Sequence, residues 1–314
     1  MIIAVVGHST KDVFHLRGSG PEKDEQQVES LGGVFYSVAT LANLLSKDDR
    51  ILPVFGVGER DYESVSERLQ RYGNVETKGI FALRGETNRV HFFPGLNGGL
   101  AQCSKSIAPP IPFARIKPSL DADAVLINMA SGFDITLETL DFVRMHVRDQ
   151  RIPLHFDFHS LTLGIDRDHT RFRRPLTDWR RWCFMMDSVQ LNEDEAAGLG
   201  SERYDEPTLI NHLMPLMVNA LLITRGERGA SLIRQEHKRF DRHDIEGVQA
   251  EAPLDTTGCG DVFGAAFVYR YVESRDYVKA AEFANKIAAI KTGFRGIDGL
   301  DDIRRRQAST VETG

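Results

Sequence analysis

Asp255-Thr-Thr-Gly-Cys-Gly-Asp261 runs directly into the apolar stretch Val262-Phe-Gly-Ala-Ala-Phe-Val268. This pattern predicts a glycine-rich turn that opens onto a buried helix. Gly258 and Gly260 allow the backbone to turn tightly and to approach a ligand. Successive N–H groups and the positive end of the helix dipole would then point at one place. The heptapeptide therefore predicts an anion site at a helix N-terminus.

Asp261 lies in the first turn of that helix, where its carboxylate would repel a bound phosphate. The position is explained if Asp261 takes a proton from an attacking hydroxyl while the N–H groups stabilise a transferred phosphoryl group. The alternative is an Asp that only caps a glycine-hinged helix. The heptapeptide alone leaves both interpretations open.

Short apolar runs rich in Val, Ile and Leu recur along the chain and are typical of buried strands. They are Ile2–Val6, Ile51–Val54, Ala124–Ile127, Leu154–Phe158, Ser188–Leu191 and Leu221–Thr224. Amphipathic stretches such as 62–72 and 136–148 separate them, which favours βαβ units. We therefore predict an α/β fold of three layers, αβα, with a mainly parallel central sheet and a ligand site at the carboxyl ends of its strands.

Two segments interrupt the alternation of strands and helices, at about residues 13–17 and 75–93. Both contain short β-like runs, and we interpret them as a small β lid. Such a lid would exclude water from a reaction. We predict one domain over residues 1–300, followed by a polar C-terminal tail at 301–314.

The composition is that of a folded globular protein, because 41% of the 314 residues are hydrophobic and 27% are charged. Against 39 Lys and Arg stand 45 Asp and Glu, and the resulting net charge of −6 does not favour nucleic acid or an anionic membrane as partner. Three widely spaced cysteines, without a CxxC pair, argue against a disulfide framework and a structural zinc site. We expect a cytoplasmic protein.

The heptapeptide resembles the second signature, D-T-x-G-A-G-D, of the ribokinase-like carbohydrate kinases of the phosphofructokinase-B type. The resemblance implies a ribokinase-like fold, ATP as donor, Mg²⁺ as cofactor and Asp261 as catalytic base. It also implies an anion hole formed by the backbone N–H groups of Gly258, Cys259 and Gly260. Cys259 stands where Ala is usual. Because a thiol at a helix N-terminus can have a lowered pKa, we hypothesise that Cys259 is sensitive to oxidation or alkylation.

A second motif, Thr224-Arg-Gly-Glu-Arg-Gly229, follows a predicted strand and resembles the family's T-x-G-x-x-G. The resemblance implies that Thr224, Gly226 and Gly229 border the nucleotide phosphates. Taken alone, the motif is also compatible with a simple β-turn. Asn285 lies where the family's last helix approaches the adenine ring, which implies a contact with the nucleotide.

A third motif, Asn192-Glu-Asp-Glu195, is similar to the family's N-x-x-E. The resemblance implies that Asn192 and Glu195 belong to the nucleotide site and that Glu195 acts on Mg²⁺ through its bound water. An acidic helix N-terminus is the alternative. Some members of the family use a monovalent cation, so the resemblance also allows K⁺ near Asp255.

The N-terminal third carries the family's acceptor motifs. Asp12 matches an Asp that holds substrate hydroxyls, and a carboxylate can accept two such hydrogen bonds. Gly32 and Gly33 match the double glycine of the first signature, G-G-x-x-x-N-x-A. For Asp12 the alternative is a surface turn, and for the glycines it is a helix entry. The resemblance implies that all three residues bind the acceptor.

Besides Cys259, three residues depart from the family pattern. Ser37 replaces the Asn of the first signature, and Asp157-Phe-His159-Ser-Leu161 stands where many members have D-P-N-x-R. His159 and Leu161 thus replace the Asn and the Arg. If Ser37 and His159 contact the acceptor at these positions, it need not be the usual sugar or sugar phosphate.

Six arginines occur at positions 167, 171, 173, 174, 180 and 181. Such a cluster could bind a phosphorylated or acidic partner. We favour a solvated loop, because a run of charges is usually a solvated surface.

The resemblance implies transfer of the γ-phosphoryl group of ATP to a hydroxyl of a sugar or related polyol, in a chain that could form a homodimer. One alternative is a nucleoside kinase of the same family, for which Phe14, Phe35 or Tyr36 could form an aromatic wall against the base. Another is a catalytically silent nucleotide-binding regulatory protein, suggested by the departures in the acceptor motifs.

Overall fold

The computed structural model describes residues 1–16, 26–94, 100–236, 239–249 and 253–306. Its strands are β1 (Ile2–Val6), β2 (Ser9–Leu16), β3 (Gln26–Gly33), β4 (Arg50–Gly58), β5 (Ile80–Leu83), β6 (Asn88–Pro94), β7 (Leu100–Lys105), β8 (Ala124–Asn128), β9 (Leu154–Asp157), β10 (Leu163–Ile165), β11 (Arg171–Arg173), β12 (Ser188–Asn192), β13 (Ala220–Thr224), β14 (Ala230–Glu236) and β15 (Arg239–Ile245). Its α-helices are α1 (Val34–Leu44), α2 (Tyr62–Gln70), α3 (Phe113–Ile116), α4 (Leu137–Gln150), α5 (Trp179–Cys183), α6 (Glu193–Ala197), α7 (Glu206–Leu213), α8 (Cys259–Ser274) and α9 (Tyr277–Lys291).

The central layer is one sheet, which in the described ranges has nine strands in the order β15-β14-β13-β12-β9-β8-β1-β4-β5. From β13 to β5 every neighbouring pair is parallel, and β14 and β15 add an antiparallel edge. Each of the six strands expected from the apolar runs lies in this sheet. The mainly parallel central sheet is therefore confirmed.

Both faces of the central sheet are covered by helices. Side chains alternate along β1, so Ile3 and Val5 join one hydrophobic cluster with α1, α8 and α9. Ala4 and Val6 join a second cluster with α4 and α7 on the opposite face. The three-layer αβα arrangement is thus confirmed. No helix among the described residues combines the length and the apolar character needed to cross a membrane.

A second, smaller sheet contains four strands in the order β3-β2-β6-β7. Of the segments predicted as a lid, residues 13–16 lie in β2 and 88–93 lie in β6, whereas Arg17 is outside the described residues. Ile80–Leu83 corrects the prediction, because it forms β5 and pairs with β4 in the central sheet. The apolar pattern of a four-residue strand does not specify its partner.

The C-terminal segment also differs from the prediction. Ile303 is fully buried in a hydrophobic cluster, and the Arg304 guanidinium donates to the carbonyl oxygen of Leu44 at 2.6 Å. The packed domain therefore extends at least to Arg304, beyond the predicted boundary at residue 300. Residues 307–314 lie outside the described part of the chain.

Candidate active site

A cavity of about 310 Å³ opens at the carboxyl ends of the central strands. Asp157, Asn192 and Thr224, which end β9, β12 and β13, line it. We call the part of the cavity wall that residues 256–261 form the helix end. It comprises the turn before α8 and the first residues of α8. We call the part of the wall next to the small sheet the small-sheet end. Its residues come from β2, β6, β7 and the neighbouring β10–β11 hairpin, and they are Thr10, Asp12, Val90, Phe92, Gln102, Ser104, Leu163, Arg171 and Arg173.

The helix end has the backbone geometry that the glycines predict. Gly258 is the N-cap of α8 with φ of +81°, and a Cβ there would lie 2.6 Å from ring atoms of Tyr36. The N–H of Cys259 donates to the carbonyl oxygen of Thr256 at 3.2 Å. Among the described residues, the N–H groups of Gly258, Gly260 and Asp261 have no hydrogen-bond partner. Free N–H groups at a helix N-terminus can bind an anion.

Asp261 is buried at this end of the cavity, with 2% of its surface exposed. The Asn128 side-chain amide donates to Asp261 Oδ1 at 2.5 Å. Asp261 Oδ2 lies 3.5 Å from His159 Nε2. One carboxylate oxygen is thus held by a neutral donor while the other faces a titratable ring.

His159 is half-buried and has a left-handed backbone, with φ of +38°. Burial alone would lower the pKa of His159, but the carboxylates of Asp261, Asp157 and Glu195 outweigh it and raise the pKa to about 10. The ring is therefore a cation at neutral pH. Its Nδ1 contacts Ser160 Oγ at 2.9 Å, which leaves Nε2 toward Asp261.

Asp12 lies in the cavity wall on β2, and 3% of it is exposed. Thr10 Oγ1 donates to Asp12 Oδ1 at 2.7 Å, and the Tyr36 hydroxyl donates to Oδ2 at 3.2 Å. Burial, with these hydrogen bonds opposing it, raises the pKa of Asp12 to about 7. Gly32 has no room for a Cβ because the Asp12 carboxylate lies against it. Gly33 lines the cavity with φ of +61° and caps α1.

Asn192 and Glu195 form a reciprocal capping box at the start of α6 and line the cavity. Burial raises the pKa of both Glu195 and Asp157. Asp157 Oδ2 is buried and has no hydrogen-bond partner in the described structure. A carboxylate oxygen without a partner, beside a second carboxylate, is the donor set that Mg²⁺ prefers. The residues present therefore fit the Mg²⁺ implied by the resemblance.

The other residues of the predicted nucleotide site are arranged differently. Thr224 lines the cavity, whereas Gly226, Gly229 and Asn285 do not. The Asn285 side-chain amide donates instead to the carbonyl oxygen of Glu246 at 2.8 Å. The predicted contact of Asn285 with adenine is therefore not supported by its position, since its amide is already used within the protein.

The Asp255 carboxylate has a fixed cation beside it. Lys291 Nζ lies 3.7 Å from Asp255 Oδ2 and donates to the carbonyl oxygen of Phe294 at 3.0 Å. Lys291 is fully buried, and burial lowers its pKa while Cys259 and Asp255 oppose that shift. A lysine side chain thus already lies beside the carboxylate near which the resemblance allows K⁺.

Two predictions from single residues are wrong in this structure. Burial raises the pKa of the Cys259 thiol to about 12, so the lowered pKa expected at a helix N-terminus is not found. Ser37 is fully buried and does not line the cavity. Its hydroxyl donates to the main-chain oxygen of Asp261 at 3.2 Å, which ties α1 to the start of α8 instead of contacting an acceptor.

The predicted aromatic wall is only partly present. Tyr36 lines the cavity, whereas Phe35 lies in the core and Phe14 stacks behind Phe92 with ring centroids 5.2 Å apart. Phe92, which the sequence did not single out, lines the cavity as well. Asn128 was also missed, although its place at the end of a buried strand was a usable signal.

Parts of the chain match known proteins. Residues 173–299 match the model of the pfkB family carbohydrate kinases. The chain is 28% identical over 119 residues to a ribokinase of Arabidopsis thaliana and 32% identical over 108 residues to a ribokinase of Bacillus subtilis. These matches cover 36% and 34% of this chain, and only 31% and 33% of those relatives.

Solved structures match over nearly the whole chain. A pyrophosphate-dependent kinase in the ribokinase family has a TM-score of 0.75 at 18% identity, covering 97% of this chain and 99% of that one. The ribokinase of Thermotoga maritima has a TM-score of 0.74 at 18% identity, with 98% and 99% covered. A nucleoside kinase of Burkholderia thailandensis, solved with inosine, has a TM-score of 0.70 at 18% identity, with 98% of each chain covered.

The central sheet, its helical layers and these matches define one class of protein. The fold is the ribokinase-like α/β fold, and this part of the prediction is confirmed. The resemblance to the ribokinase-like carbohydrate kinases of the PfkB type is confirmed as well.

Proposed function

We propose that this chain is a kinase that transfers the γ-phosphoryl group of ATP to a hydroxyl of a sugar or related polyol. One observation carries the proposal: a buried carboxylate, Asp261, lies among unpartnered N–H groups at the start of α8, in the same cavity as Asp12. A base beside an anion site suits phosphoryl transfer to a hydroxyl. The family match over residues 173–299 includes this segment.

In the proposed step, Asp12 accepts hydrogen bonds from acceptor hydroxyls and so orients the reacting oxygen. Asp261 takes the proton of that hydroxyl as its oxygen bonds to the γ-phosphorus and the bond to the β,γ-bridging oxygen breaks. ADP leaves with the bridging oxygen, and the N–H groups of Gly258, Gly260 and Asp261 stabilise the charge that develops on the phosphoryl group. Mg²⁺, held through its waters by Glu195 and Asp157, would neutralise donor phosphates.

Pyrophosphate is a second candidate donor. The Asn285 amide donates to the carbonyl oxygen of Glu246 and does not line the cavity. Among the described contacts of Asn285, none therefore calls for a donor that carries an adenine base. Among the structural neighbours is a pyrophosphate-dependent kinase. A nucleoside acceptor is supported by Phe92 and Tyr36 in the cavity wall and by the fold shared with a nucleoside kinase.

We also propose that Lys291 supplies the charge that the resemblance assigned to K⁺. Its ammonium lies beside the Asp255 carboxylate and is fully buried, which leaves no need for a second cation there. Catalysis should then proceed without K⁺.

The function is tested by incubating the purified chain with Mg²⁺ and either ATP or pyrophosphate, over a panel of sugars, polyols and nucleosides. Acceptor-dependent formation of ADP, together with a phosphorylated acceptor detected by mass spectrometry, is the expected result. Phosphorylation from pyrophosphate alone would replace ATP as donor. Donor binding without turnover on any acceptor would contradict the proposal and favour a regulatory protein.

A further inference from the structure

Two arginines from the cluster at 167–181, Arg171 and Arg173, line the cavity and lie on a strand instead of in the predicted loop. Arg173 is solvent-exposed, as predicted, whereas Arg171 is only half-exposed. Arg171 and Arg173 are two residues apart on β11 and therefore point to the same side of the strand. The intervening Phe172 points the other way, against Gly164 of β10. A bridge between Cys103 and Thr170 connects this hairpin to β7 of the small sheet.

The Arg171 guanidinium is held in place by two neutral acceptors. Its Nε donates to Ser104 Oγ at 2.7 Å, and its Nη2 donates to the carbonyl oxygen of Ser131 at 2.7 Å. The third nitrogen, Nη1, is buried and has no hydrogen-bond partner in the described residues. No described carboxylate lies within 4.0 Å of this guanidinium.

Arg171 nevertheless keeps its charge at neutral pH. Burial lowers its pKa to about 10, with the more distant Asp134 opposing the shift. For a partly buried guanidinium whose buried Nη1 has no hydrogen-bond partner and which has no counter-charge, an anionic ligand would offset the cost of desolvation. Planar carboxylate and phosphate groups match the fork of an arginine side chain.

We propose that Arg171 binds an anionic substituent, a carboxylate or a phosphate, on the acceptor. The inference rests on the proposed kinase function and names the class of acceptor: a sugar acid or a sugar phosphate instead of a neutral sugar. The charge then lies at the small-sheet end of the cavity, where Arg171 contacts Ser104.

The contacts of the two arginines separate their roles. Arg171 is tied to β7 and to the segment after β8, both outside the donor motifs. Arg173 lies 3.4 Å from Asp194, which belongs to the N-x-x-E motif together with Glu195. Arg171 therefore contacts the acceptor, and Arg173 provides a matched control on the donor side of the same strand.

The test compares neutral and anionic acceptors for wild type, Arg171→Gln, Arg171→Lys and Arg173→Gln. The neutral probes are D-glucose and D-fructose, and the anionic probes are D-gluconate, D-fructose 1-phosphate and D-fructose 6-phosphate. We expect wild type to prefer at least one anionic probe over its neutral counterpart by about 10- to 100-fold in kcat/KM, the size of a charged hydrogen bond. Gluconate and the fructose phosphates distinguish a carboxylate from a phosphate.

Arg171→Gln should reduce that preference to about threefold or less, mainly by raising the acceptor KM with little change in donor KM. Arg171→Lys should keep more of the preference than Arg171→Gln, because lysine carries the positive charge but lacks the planar guanidinium group. Arg173→Gln should keep the preference.

Wild-type preference for neutral acceptors, or equal losses on both classes in Arg171→Gln, would overturn the inference while leaving the kinase function intact. If no probe of either class is phosphorylated, the broader panel used for the proposed function decides whether the kinase itself fails. Phosphorylation there of a neutral compound, with weaker turnover on the acid or the phosphate ester of the same compound, also overturns the role of Arg171.

Discussion

The helix end and the small-sheet end of the cavity are built in different ways. One continuous segment, 255–261, supplies the turn, the free N–H groups and the carboxylate of Asp261 at the helix end. At the small-sheet end, Asp12, Ser104 and Arg171 come from three strands that are far apart in the chain. A site made by one backbone turn can be recognised in a sequence, whereas a site assembled from separate strands becomes visible only in the fold.

The first prediction tests how strictly the turn requires glycine. Gly258→Ala should reduce kcat by about 100-fold or more, because the new Cβ collides with Tyr36 and shifts the free N–H groups. It should also destabilise the fold by more than the ~1–2 kcal/mol expected for a left-handed Ala alone. Steady-state kinetics and thermal unfolding measure both effects.

Gly73→Ala is the matched control for this substitution. Gly73 has a similar φ of +77°, with nothing within 4 Å of an added Cβ and no contact with the cavity. Gly73→Ala should lose only the stability that a left-handed alanine costs, and its turnover should stay normal. Equal losses of stability in the two variants, with full activity in Gly258→Ala, would show that the turn does not need its present geometry.

The second prediction concerns the small-sheet end and pH. Ionised Asp12 accepts hydrogen bonds from the hydroxyls of the substrate. We therefore expect kcat/KM to rise with pH through about 7, the raised pKa of Asp12. Asp12→Asn should reduce kcat/KM by about 10- to 100-fold and abolish this limb. The measurement is a pH profile of both proteins at saturating donor.

The same substitution should stabilise the fold. Between the ordinary pKa of 3.8 and about 7, folded Asp12 holds a proton that the unfolded chain has released, so stability falls as pH rises through this interval. Asp12→Asn should therefore unfold at higher temperature than wild type at pH 8, with the difference vanishing near pH 4. A destabilised variant at pH 8, or an unchanged acid limb, would contradict the account of Asp12.

The third prediction concerns the cation beside Asp261. His159→Gln should reduce kcat by about tenfold, because the positive charge that lies 3.5 Å from the Asp261 carboxylate is removed. Wild-type activity should fall as pH rises through about 10, where His159 loses its proton, and the variant should lack this fall. His146→Gln on α4, whose ring contacts Gln150, is the control. An identical alkaline limb in all three proteins would exclude this role for His159.

The smallest effect is expected from monovalent cations. Replacing K⁺ by Na⁺ or tetramethylammonium at constant ionic strength should change kcat/KM by less than about twofold, since Lys291 already lies beside Asp255. Activation by K⁺ of about tenfold or more would show that a separate cation is required and that the ammonium does not replace it.

Much of the fold could be predicted because it depends on local patterns. Each of the six apolar runs became a parallel strand, and 255–261 formed the expected turn, since glycine conformations and helix N-termini are determined within a few residues. The partner of the strand Ile80–Leu83 could not be predicted, because it depends on burial against β4. The packing of Ile303 at the C-terminus likewise depends on distant residues.

The candidate site was predictable to the extent that its residues lie in contiguous motifs. Asn128 contacts Asp261 across 133 residues of sequence; its place at the end of a strand predicts a position in the site but not this partner. Lys291 and Arg171 also reach the site from distant elements. For Cys259, the sequence indicated a helix N-terminus but not the burial that raises its pKa.

Turnover and donor binding of Asp261→Asn, measured on one preparation, test most directly whether Asp261 takes the acceptor proton. Asn keeps the shape of the side chain but cannot act as the base. We expect kcat to fall by about 1,000-fold or more while the donor Kd from calorimetry stays within about threefold of wild type. A loss of less than about tenfold in kcat, or a loss of donor binding that accounts for the lost turnover, would contradict this role.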